Sequence, residues 1–264
     1  MKGASHFIAI DGCRIAYEWT PRADAPALVL SPSLGTNMGL FQPQATALTK
    51  HYSLLRYDPR GHGLSDVPGG CYSLDRLGSD VVELLDYLGI GKAHFLGISL
   101  GGMTGQWLGF RAPERISSLI LANTSAYMGP PMGWATRIET VLSHGMAAMV
   151  DPVIDRWFTP AFRATGNREV ARIASMLTGT APQGYAGCSA AIRDMDLRPT
   201  THLIKVPTMV VAGLQDPATP PEHARYLAQT IPTAQLCELD AAHLSNVELP
   251  DAFNRAALDF LAKQ

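Results

Sequence analysis

The sequence has little charge, few cysteines and no long apolar run. Only 17% of its 264 residues are charged, and 21 Lys and Arg nearly balance 23 Asp and Glu. No run of Lys or Arg occurs, so the chain lacks the basic surface with which nucleic-acid-binding proteins hold phosphates. The apolar fraction of 47% excludes a largely disordered chain. We expect a globular protein with no nucleic-acid partner.

The cysteines are too few and too far apart for a structural site. Cys13, Cys71, Cys188 and Cys237 form no C-x-x-C pair, so neither a zinc site nor a disulfide framework is predicted. No stretch of about 18 apolar residues indicates a membrane span. The first residues also lack the continuous apolar segment of a secretory signal. These absences predict reduced thiols, no membrane partner and a cytoplasmic location.

Short apolar segments alternate with amphipathic helices along much of the chain. Leu74, Leu77 and Val81 recur at helical spacing between Ser73, a suitable N-cap, and Gly89, a suitable stop. Strands are predicted at residues 7–10, 14–18, 27–30, 53–57, 93–98, 118–122, 208–212 and 234–239. Short strands separated by helices favour an α/β fold in which helices cover both faces of a parallel sheet.

The alternation stops between residues 123 and 198. Segments at 134–143, 146–157, 168–177 and 182–195 look helical there and are separated by Gly and Pro. We therefore divide the chain into an α/β core, residues 1–122 and 199–264, and a helical lid, residues 123–198. So long an insertion between two strands is usually functional, although it could also be a stabilising decoration.

The sharpest motif is Gly97-Ile98-Ser99-Leu100-Gly101, which matches G-x-S-x-G. It lies between a predicted strand and a predicted helix, the setting of a nucleophile elbow. The two glycines permit a tight turn, and the N-terminus of the following helix favours negative charge near the hydroxyl. We predict that Ser99 is a nucleophile, the alternative being a chance Gly-Ser-Gly loop.

A serine nucleophile needs a general base that is held by a third group. His243 follows the last predicted strand, at the edge where parallel sheets place their chemistry. Asp216 is the carboxylate in the loop after the preceding strand, so we predict that it orients His243. Asp216 could instead cap the turn before Pro217. Asp240 is a rival acid, which we interpret as a loop stabiliser.

Seven further histidines compete for the role of base. His62 lies in a loop and is predicted to order it. His94 lies within a strand and is predicted to be buried and neutral. His144 lies in the lid and could contact a substrate. The remaining four, His6, His51, His202 and His223, carry no pattern.

Acyl transfer also needs two hydrogen-bond donors aimed at the developing oxyanion. The backbone N–H of Leu100 follows the nucleophile directly. The second donor should come from the loop after the strand at 27–30, and we assign it to the backbone N–H of Leu34. Main-chain donors tolerate almost any side chain, so this assignment rests on position in the chain alone.

Together these motifs resemble the α/β-hydrolase superfamily over the whole chain, and within it the 3-oxoadipate enol-lactonases of aromatic catabolism. The likeness rests on SLGT at 33–36, YDPRGHG at 57–63, GISLGGMTGQWLG at 97–109, RWFTP at 156–160, AIRD at 191–194 and AHLSN at 242–246. Pro32 departs from the family pattern, which has Asn there. The resemblance implies an α/β-hydrolase fold, with a mostly parallel eight-stranded sheet and a lid after the sixth strand.

The same resemblance implies a carboxylic ester hydrolase that opens 3-oxoadipate enol-lactone to 3-oxoadipate in the β-ketoadipate pathway, without a metal or organic cofactor. A lid for this small carboxylated lactone should offer apolar walls and a cation. Trp134 and Arg137 are three residues apart on one predicted helix and so share a face. Our hypothesis is that Arg137 meets the carboxylate and Trp134 flanks the ring. Further lid candidates are Arg156, Trp157, Arg193 and Met195, although such residues commonly serve as solvated surface or core.

Several other functions fit the same motifs. Another carboxylesterase, a C–C bond hydrolase of aromatic catabolism or a cofactor-free perhydrolase would use the same three side chains. A small-molecule receptor with an intact triad would bind its ligand without rapid turnover. The oligomeric state stays open, with a homo-oligomer as one option.

Overall fold

The computed structural model describes residues 5–264, which form an α/β structure around a single sheet. In chain order its strands are β1 (His6–Ile10), β2 (Cys13–Thr20), β3 (Ala27–Ser31), β4 (Ser53–Tyr57), β5 (Ala93–Ile98), β6 (Ile116–Ala122), β7 (Thr208–Gly213) and β8 (Ala234–Leu239). Their spatial order is β1-β2-β4-β3-β5-β6-β7-β8. The β1–β2 and β2–β4 pairs are antiparallel and the other five pairs are parallel. The prediction of a mostly parallel eight-stranded sheet is confirmed.

Helices follow most of the strands. They are α1 (Gln42–Leu48), α2 (Leu74–Tyr87), α3 (Leu100–Arg111), α4 (Pro131–His144), α5 (Val150–Trp157), α6 (Pro160–Ala164), α7 (Arg168–Thr178), α8 (Pro182–Asp194), α9 (Pro221–Thr230), α10 (Ser245–Glu248) and α11 (Pro250–Leu261). The helix predicted from Ser73 is α2, since the Ser73 hydroxyl accepts the Arg76 N–H at 3.1 Å. Gly89, with φ of +66°, follows its end.

The central strands are buried on both sides, as their sequences predict. Every residue of β5 and β7 is buried, and both strands are largely apolar. The edge strand β8 instead has no buried residue, and its Gln235, Leu236 and Glu238 are exposed. Continuous apolar strands are typical of parallel sheets that helices cover on both faces.

The connections between strands decide where a site forms. The chain crosses the sheet in one direction from β3 to β4 and in the other from β4 to β5. Because parallel crossovers are right-handed, α1 lies on one face and α2, α3 and α9 lie on the other. In agreement, α1 packs against α11, and α2 packs against α3. The carboxyl ends of β3 and β5 thus form the switch point of the sheet, where open α/β sheets bind ligands.

The segment between β6 and β7 is helical, and α4 packs against α8 within it. The helix predicted at 146–157 divides into a 3₁₀ turn, Met146–Met149, and α5. Pro152 explains the division, because a continuous α-helix would bring its ring against the carbonyl of residue 148. The short helices α1, α6 and α10 were not predicted, since their spans are too brief to show a periodicity. The domain boundaries at 122 and 198 stay a prediction.

Two absences in residues 5–264 bear on function. No helix in this range is both long and apolar enough to cross a membrane. Nor do its His, Cys, Asp and Glu side chains form a group of three or more that could hold a metal ion. All four cysteines lie in the range and are unpaired.

The segment after β4 fixes the loops at the switch point. Asp58 accepts backbone N–H groups of Met38 and Leu64 at 2.7 and 2.8 Å. Arg60 forms a bidentate ion pair with the buried Asp80, with N···O distances of 2.6 and 2.7 Å. Such fully partnered charges hold one loop conformation, because any other conformation would leave a buried charge unpaired.

His62 ties this segment to the loop after β3. Its Nε2 accepts the Gly35 N–H at 2.9 Å and its Nδ1 lies 3.3 Å from the Arg60 carbonyl, so Nδ1 carries the proton. Burial lowers the pKa of His62 to about 4. The ring is therefore neutral at physiological pH, and it orders the loop as the sequence predicted.

The neutral His62 makes the stability of the fold depend on pH. Between pH 6.5 and about 4 the unfolded chain binds a proton at this ring and the folded chain does not. The free energy of unfolding should therefore fall as pH falls through this window, by roughly 3 kcal/mol from this residue. Urea unfolding of the wild type and of His62→Gln, whose amide oxygen can still accept the Gly35 N–H, should show a steeper decline for the wild type. Parallel declines would refute the assignment.

Candidate active site

Ser99 lies on a strained turn between β5 and α3. Its φ and ψ are 55° and −113°, a conformation that non-glycine residues rarely adopt. A Cβ on Gly97 would lie 2.1 Å from the Gly101 carbonyl oxygen, and a Cβ on Gly101 would lie 2.0 Å from that of Ser31. The two glycines are thus required by close backbone approach. The Ser99 N–H donates to the Ala122 carbonyl at 2.9 Å, which holds the turn against β6.

Asp216 and His243 form a buried hydrogen-bonded pair at the same edge of the sheet. Asp216 follows β7 and His243 follows β8, and Asp216 Oδ2 lies 2.8 Å from His243 Nδ1. Both residues are about 2% exposed. The Trp157 ring stacks on the imidazole with centroids 6.4 Å apart. Because Nδ1 is committed to Asp216, Nε2 is the nitrogen left to act on another group.

The Asp216 carboxylate has many donors around it. Oδ1 accepts the backbone N–H groups of Ala218 and Thr219 at 2.8 and 2.9 Å, and Oδ2 accepts the Thr219 hydroxyl at 2.7 Å. Burial by itself raises the pKa of Asp216, but His243 and these hydrogen bonds outweigh burial and hold the pKa below its usual value. Asp216 is therefore ionised at neutral pH and accepts a hydrogen bond from the Nδ1–H of His243.

A cavity joins Ser99 and His243 to the helical segment between β6 and β7. Roughly 500 Å³ of space, part of it open to solvent, lies between its lining atoms. Its lining residues are Ser33, Leu34, Ser99, Met103, Met128, Trp134, Arg137, Val153, Arg156, Trp157, Tyr185, Ile192, Ala218, Thr219 and His243. Ser99 Oγ and His243 line it without a hydrogen bond between them. Such bonds are often long before a substrate binds.

Of the two predicted oxyanion donors, Leu100 directly follows Ser99 and Leu34 lines the same cavity as Ser99. Leu100 is the first residue of α3, so its N–H has no acceptor within the helix. Leu34 lines the cavity, and its neighbours are fixed because Gly35 donates to His62 and Thr36 donates to the Ser33 carbonyl. Leu100 also lines a separate small pocket together with Ser31 and Tyr57.

Trp134 and Arg137 both line the cavity from α4. The Arg137 guanidinium carbon lies 4.8 Å from the centroid of the Trp134 ring, a cation–π contact. Arg137 Nη1 also donates to the Tyr185 hydroxyl at 3.3 Å, and Trp134 Nε1 donates to the Met128 carbonyl at 2.8 Å. These contacts orient a cation and an aromatic wall toward the same space.

Arg156 brings a second cation to the cavity from α5. Its Nε donates to the Pro152 carbonyl at 3.1 Å. Burial, and then the neighbouring charge of Arg137, lowers the pKa of Arg156, which still stays protonated. Arginines elsewhere, such as Arg60 and Arg115, pair with carboxylates. Within residues 5–264, Arg137 and Arg156 have no such partner, so the cavity carries positive charge.

Three of the lid candidates lie away from the cavity. Arg193 pairs with the adjacent Asp194 at 2.7 Å, because both side chains point outward at the end of α8. Met195 lines a different pocket with Trp107. His144 is the exposed last residue of α4. The expectation that these residues contact substrate is not supported, since position in the insertion does not indicate which helix face turns inward.

His94 and Asp240, the alternatives to His243 as base and Asp216 as acid, form hydrogen bonds with other residues. His94 is buried, and its Nδ1 lies 2.8 Å from the Ser118 hydroxyl, while burial lowers its pKa. Asp240 accepts a hydrogen bond from Gln215 at 2.8 Å and does not contact His243. Both behave as the sequence predicted.

Several residues of the site were not predicted from the sequence. Thr219 contacts both Asp216 and His243, and an Asp-x-x-Thr spacing typical of side-chain turns could have indicated it. Asn123, directly after β6, also donates to Asp216. Tyr185 and Val153 line the cavity from helix positions that carry no distinguishing pattern.

Comparison with known proteins places this geometry in a family. Residues 26–250 match the alpha/beta hydrolase fold. The chain is 42% identical to 3-oxoadipate enol-lactonase 2 of Acinetobacter baylyi over 235 residues, 89% of this chain and 88% of that protein. The crystal structure of the enol-lactonase from Burkholderia xenovorans LB400 is 41% identical, with a TM-score of 0.95 over 97% of this chain and 100% of that chain. A hydrolase from Pseudomonas aeruginosa PA01 is 47% identical, with a TM-score of 0.96 over 99% of each chain. The chain therefore belongs to the α/β hydrolase fold family.

Proposed function

We propose that this protein is a serine hydrolase that opens 3-oxoadipate enol-lactone with water to give 3-oxoadipate, a step of the β-ketoadipate pathway. The observation that carries the proposal is one cavity that combines Ser99 and the Asp216–His243 pair with the unpaired cations Arg137 and Arg156. The relatives that are enol-lactonases by name support the same substrate class.

The first half-reaction forms an acyl-enzyme. His243 Nε2 takes the proton of Ser99 as its oxygen attacks the lactone carbonyl, and Asp216 stabilises the resulting imidazolium. The N–H groups of Leu34 and Leu100 stabilise the tetrahedral oxyanion, each by about 3 kcal/mol in related acyl transfers. The ring C–O bond then breaks and the enolate leaves. Because an enolate is a better leaving group than an alkoxide, little acid assistance is needed.

The second half-reaction releases the product. The enolate takes up the proton that His243 received from Ser99 and becomes a ketone, which makes ring opening strongly downhill and leaves His243 neutral. His243 then activates a water molecule, whose oxygen attacks the acyl carbon and displaces Ser99. The single product carries a ketone and a new carboxylate, so the monoanionic lactone and water become a dianion and one released proton. No step requires a metal or an organic cofactor.

The arginines and Trp134 explain why a carboxylated lactone would be selected. The carboxylate of the substrate would meet Arg137 and Arg156, whose charges lack a protein counter-ion, and charge-assisted hydrogen bonds of this kind are strong. Trp134 would flank the ring, and Val153 and Ile192 would supply apolar wall. A neutral ester would gain the apolar contacts only.

Replacing the nucleophile should abolish turnover. We expect Ser99→Ala to lower kcat for 3-oxoadipate enol-lactone by at least about 10⁴-fold, because no covalent intermediate can form. The ultraviolet absorbance of the lactone follows the reaction. Ser117→Ala, at the opposite end of β6, is the matched control and should be fully active. The proposed mechanism would be refuted if Ser99→Ala retained more than a small fraction of the wild-type activity.

Removing either cavity arginine should weaken binding of the charged substrate selectively. We expect Arg137→Ala and Arg156→Ala each to raise KM for the carboxylated lactone about tenfold or more, and to change KM for its neutral methyl ester little. Arg111, which has no carboxylate partner but lies outside the cavity, provides the control Arg111→Ala. Equal rises of KM for both substrates would contradict the pairing with the carboxylate.

A further inference from the structure

We propose that Asn123 is a positioning residue that holds the catalytic acid, Asp216, and the loop of the catalytic base, His243, in fixed positions relative to each other. Its side-chain amide bridges Asp216 and the Ala242 carbonyl, one residue before His243. The proposal rests on the proposed function as a serine hydrolase, but it does not depend on which ester or lactone is the substrate.

Asn123 lies where the segments that carry the three reactive groups meet. It directly follows β6, and its backbone N–H donates to the Val211 carbonyl of β7 at 2.9 Å. The residue before it, Ala122, accepts the backbone N–H of Ser99. Asn123 has a φ of 46°, in the left-handed region that Asn adopts more readily than most residues. This backbone turns its side chain away from the strand and toward the loops after β7 and β8.

The hydrogen bonds leave the amide only one sensible orientation. Nδ2 donates to Asp216 Oδ2 at 3.1 Å and to the Ala242 carbonyl at 3.2 Å. Oδ1 accepts the Ser245 hydroxyl at 2.6 Å. Turned by 180°, the amide oxygen would face a carboxylate and a carbonyl, two acceptors that repel it. Both N–H groups of the amide thus donate hydrogen bonds, and the hydrogen bond from Ser245 holds the amide oxygen in place.

The surrounding backbone is shaped to let this bridge form. A Cβ on Gly213, the last residue of β7, would lie 2.4 Å from the Ala242 carbonyl oxygen and 2.8 Å from Asn123 Nδ2. Glycine at this position therefore allows the loop of the acid to approach the loop of the base closely enough for one amide to span both.

The bridge also acts on the charge of Asp216. Oδ2, the oxygen that faces His243 Nδ1, accepts from Thr219 as well as from Asn123. Each additional donor draws negative charge from that oxygen, so it sets how strongly the carboxylate stabilises the protonated imidazole. Loss of the Asn123 donor should leave a more strongly attracting carboxylate that is also less well held.

Kinetics of Asn123→Ala test the proposal on any substrate that the wild type hydrolyses. We expect kcat to fall about tenfold or more, since a buried hydrogen bond to a charged group is lost, with little change in KM. The acidic limb of the kcat/KM profile should move to higher pH, because the imidazole holds its proton more strongly. Asn254→Ala, which removes another largely buried Asn on α11, is the matched control and should change neither kcat nor the profile.

Two further variants separate positioning from a merely structural role. Asn123→Asp places a carboxyl group against two acceptors unless that group is protonated, so its activity relative to the wild type at the same pH should be lowest at alkaline pH and recover partly on acidification. Ser245→Ala should lower kcat in the wild type, less than Asn123→Ala does, and should have no effect in the Asn123→Ala background, because Ser245 acts through the amide.

The proposal would be overturned if Asn123→Ala and Ser245→Ala lowered only the melting temperature and left kcat and the pH profile unchanged. It would equally be overturned if their effects were additive. Neither result would touch the proposed function, which fails separately if Ser99→Ala stays active.

Discussion

The site depends on one hydrogen bond, that between Asp216 and His243, and on the parallel sheet that makes it available. Because β7 and β8 run parallel, their carboxyl ends meet at one edge, and the loops that follow carry the acid and the imidazole to within 2.8 Å. The strained turn at Ser99 projects from the same edge. Burial gives this arrangement its strength, since a carboxylate removed from water must find donors within the protein.

Chemistry and selectivity come from different parts of the chain. The core strands fix the reactive groups on short, tightly bonded loops. The helices between β6 and β7 supply Trp134, Arg137 and Arg156, which face the reactive edge across the cavity. Within residues 5–264 neither arginine pairs with a carboxylate, and two unpaired cations are costly in a partly desolvated space, so we propose that the cavity is suited to an anion. This division explains how one core can serve relatives with other substrates.

The sequence predicted those parts of the site whose conformation depends on residues close together in the chain. The glycines around Ser99 indicate a tight turn, and the loops after the strands predicted at 208–212 and 234–239 contain Asp216 and His243. Asn123 could not be predicted, because its role depends on a left-handed backbone and on two loops that are distant in sequence. The sequence equally could not show which face of the helical segment points inward: Arg137 lines the cavity, whereas Met195 lines a different pocket.

Covalent labelling tests most directly whether the three groups act as one unit. A fluorophosphonate reacts only with a serine that a neighbouring base activates. Peptide mass spectrometry should find the label on Ser99 in the wild type and at a rate lower by at least about 10³-fold in His243→Ala and Asp216→Ala, if both variants remain folded. Rapid labelling of Ser99 in either variant, or labelling of another serine in the wild type, would contradict the account.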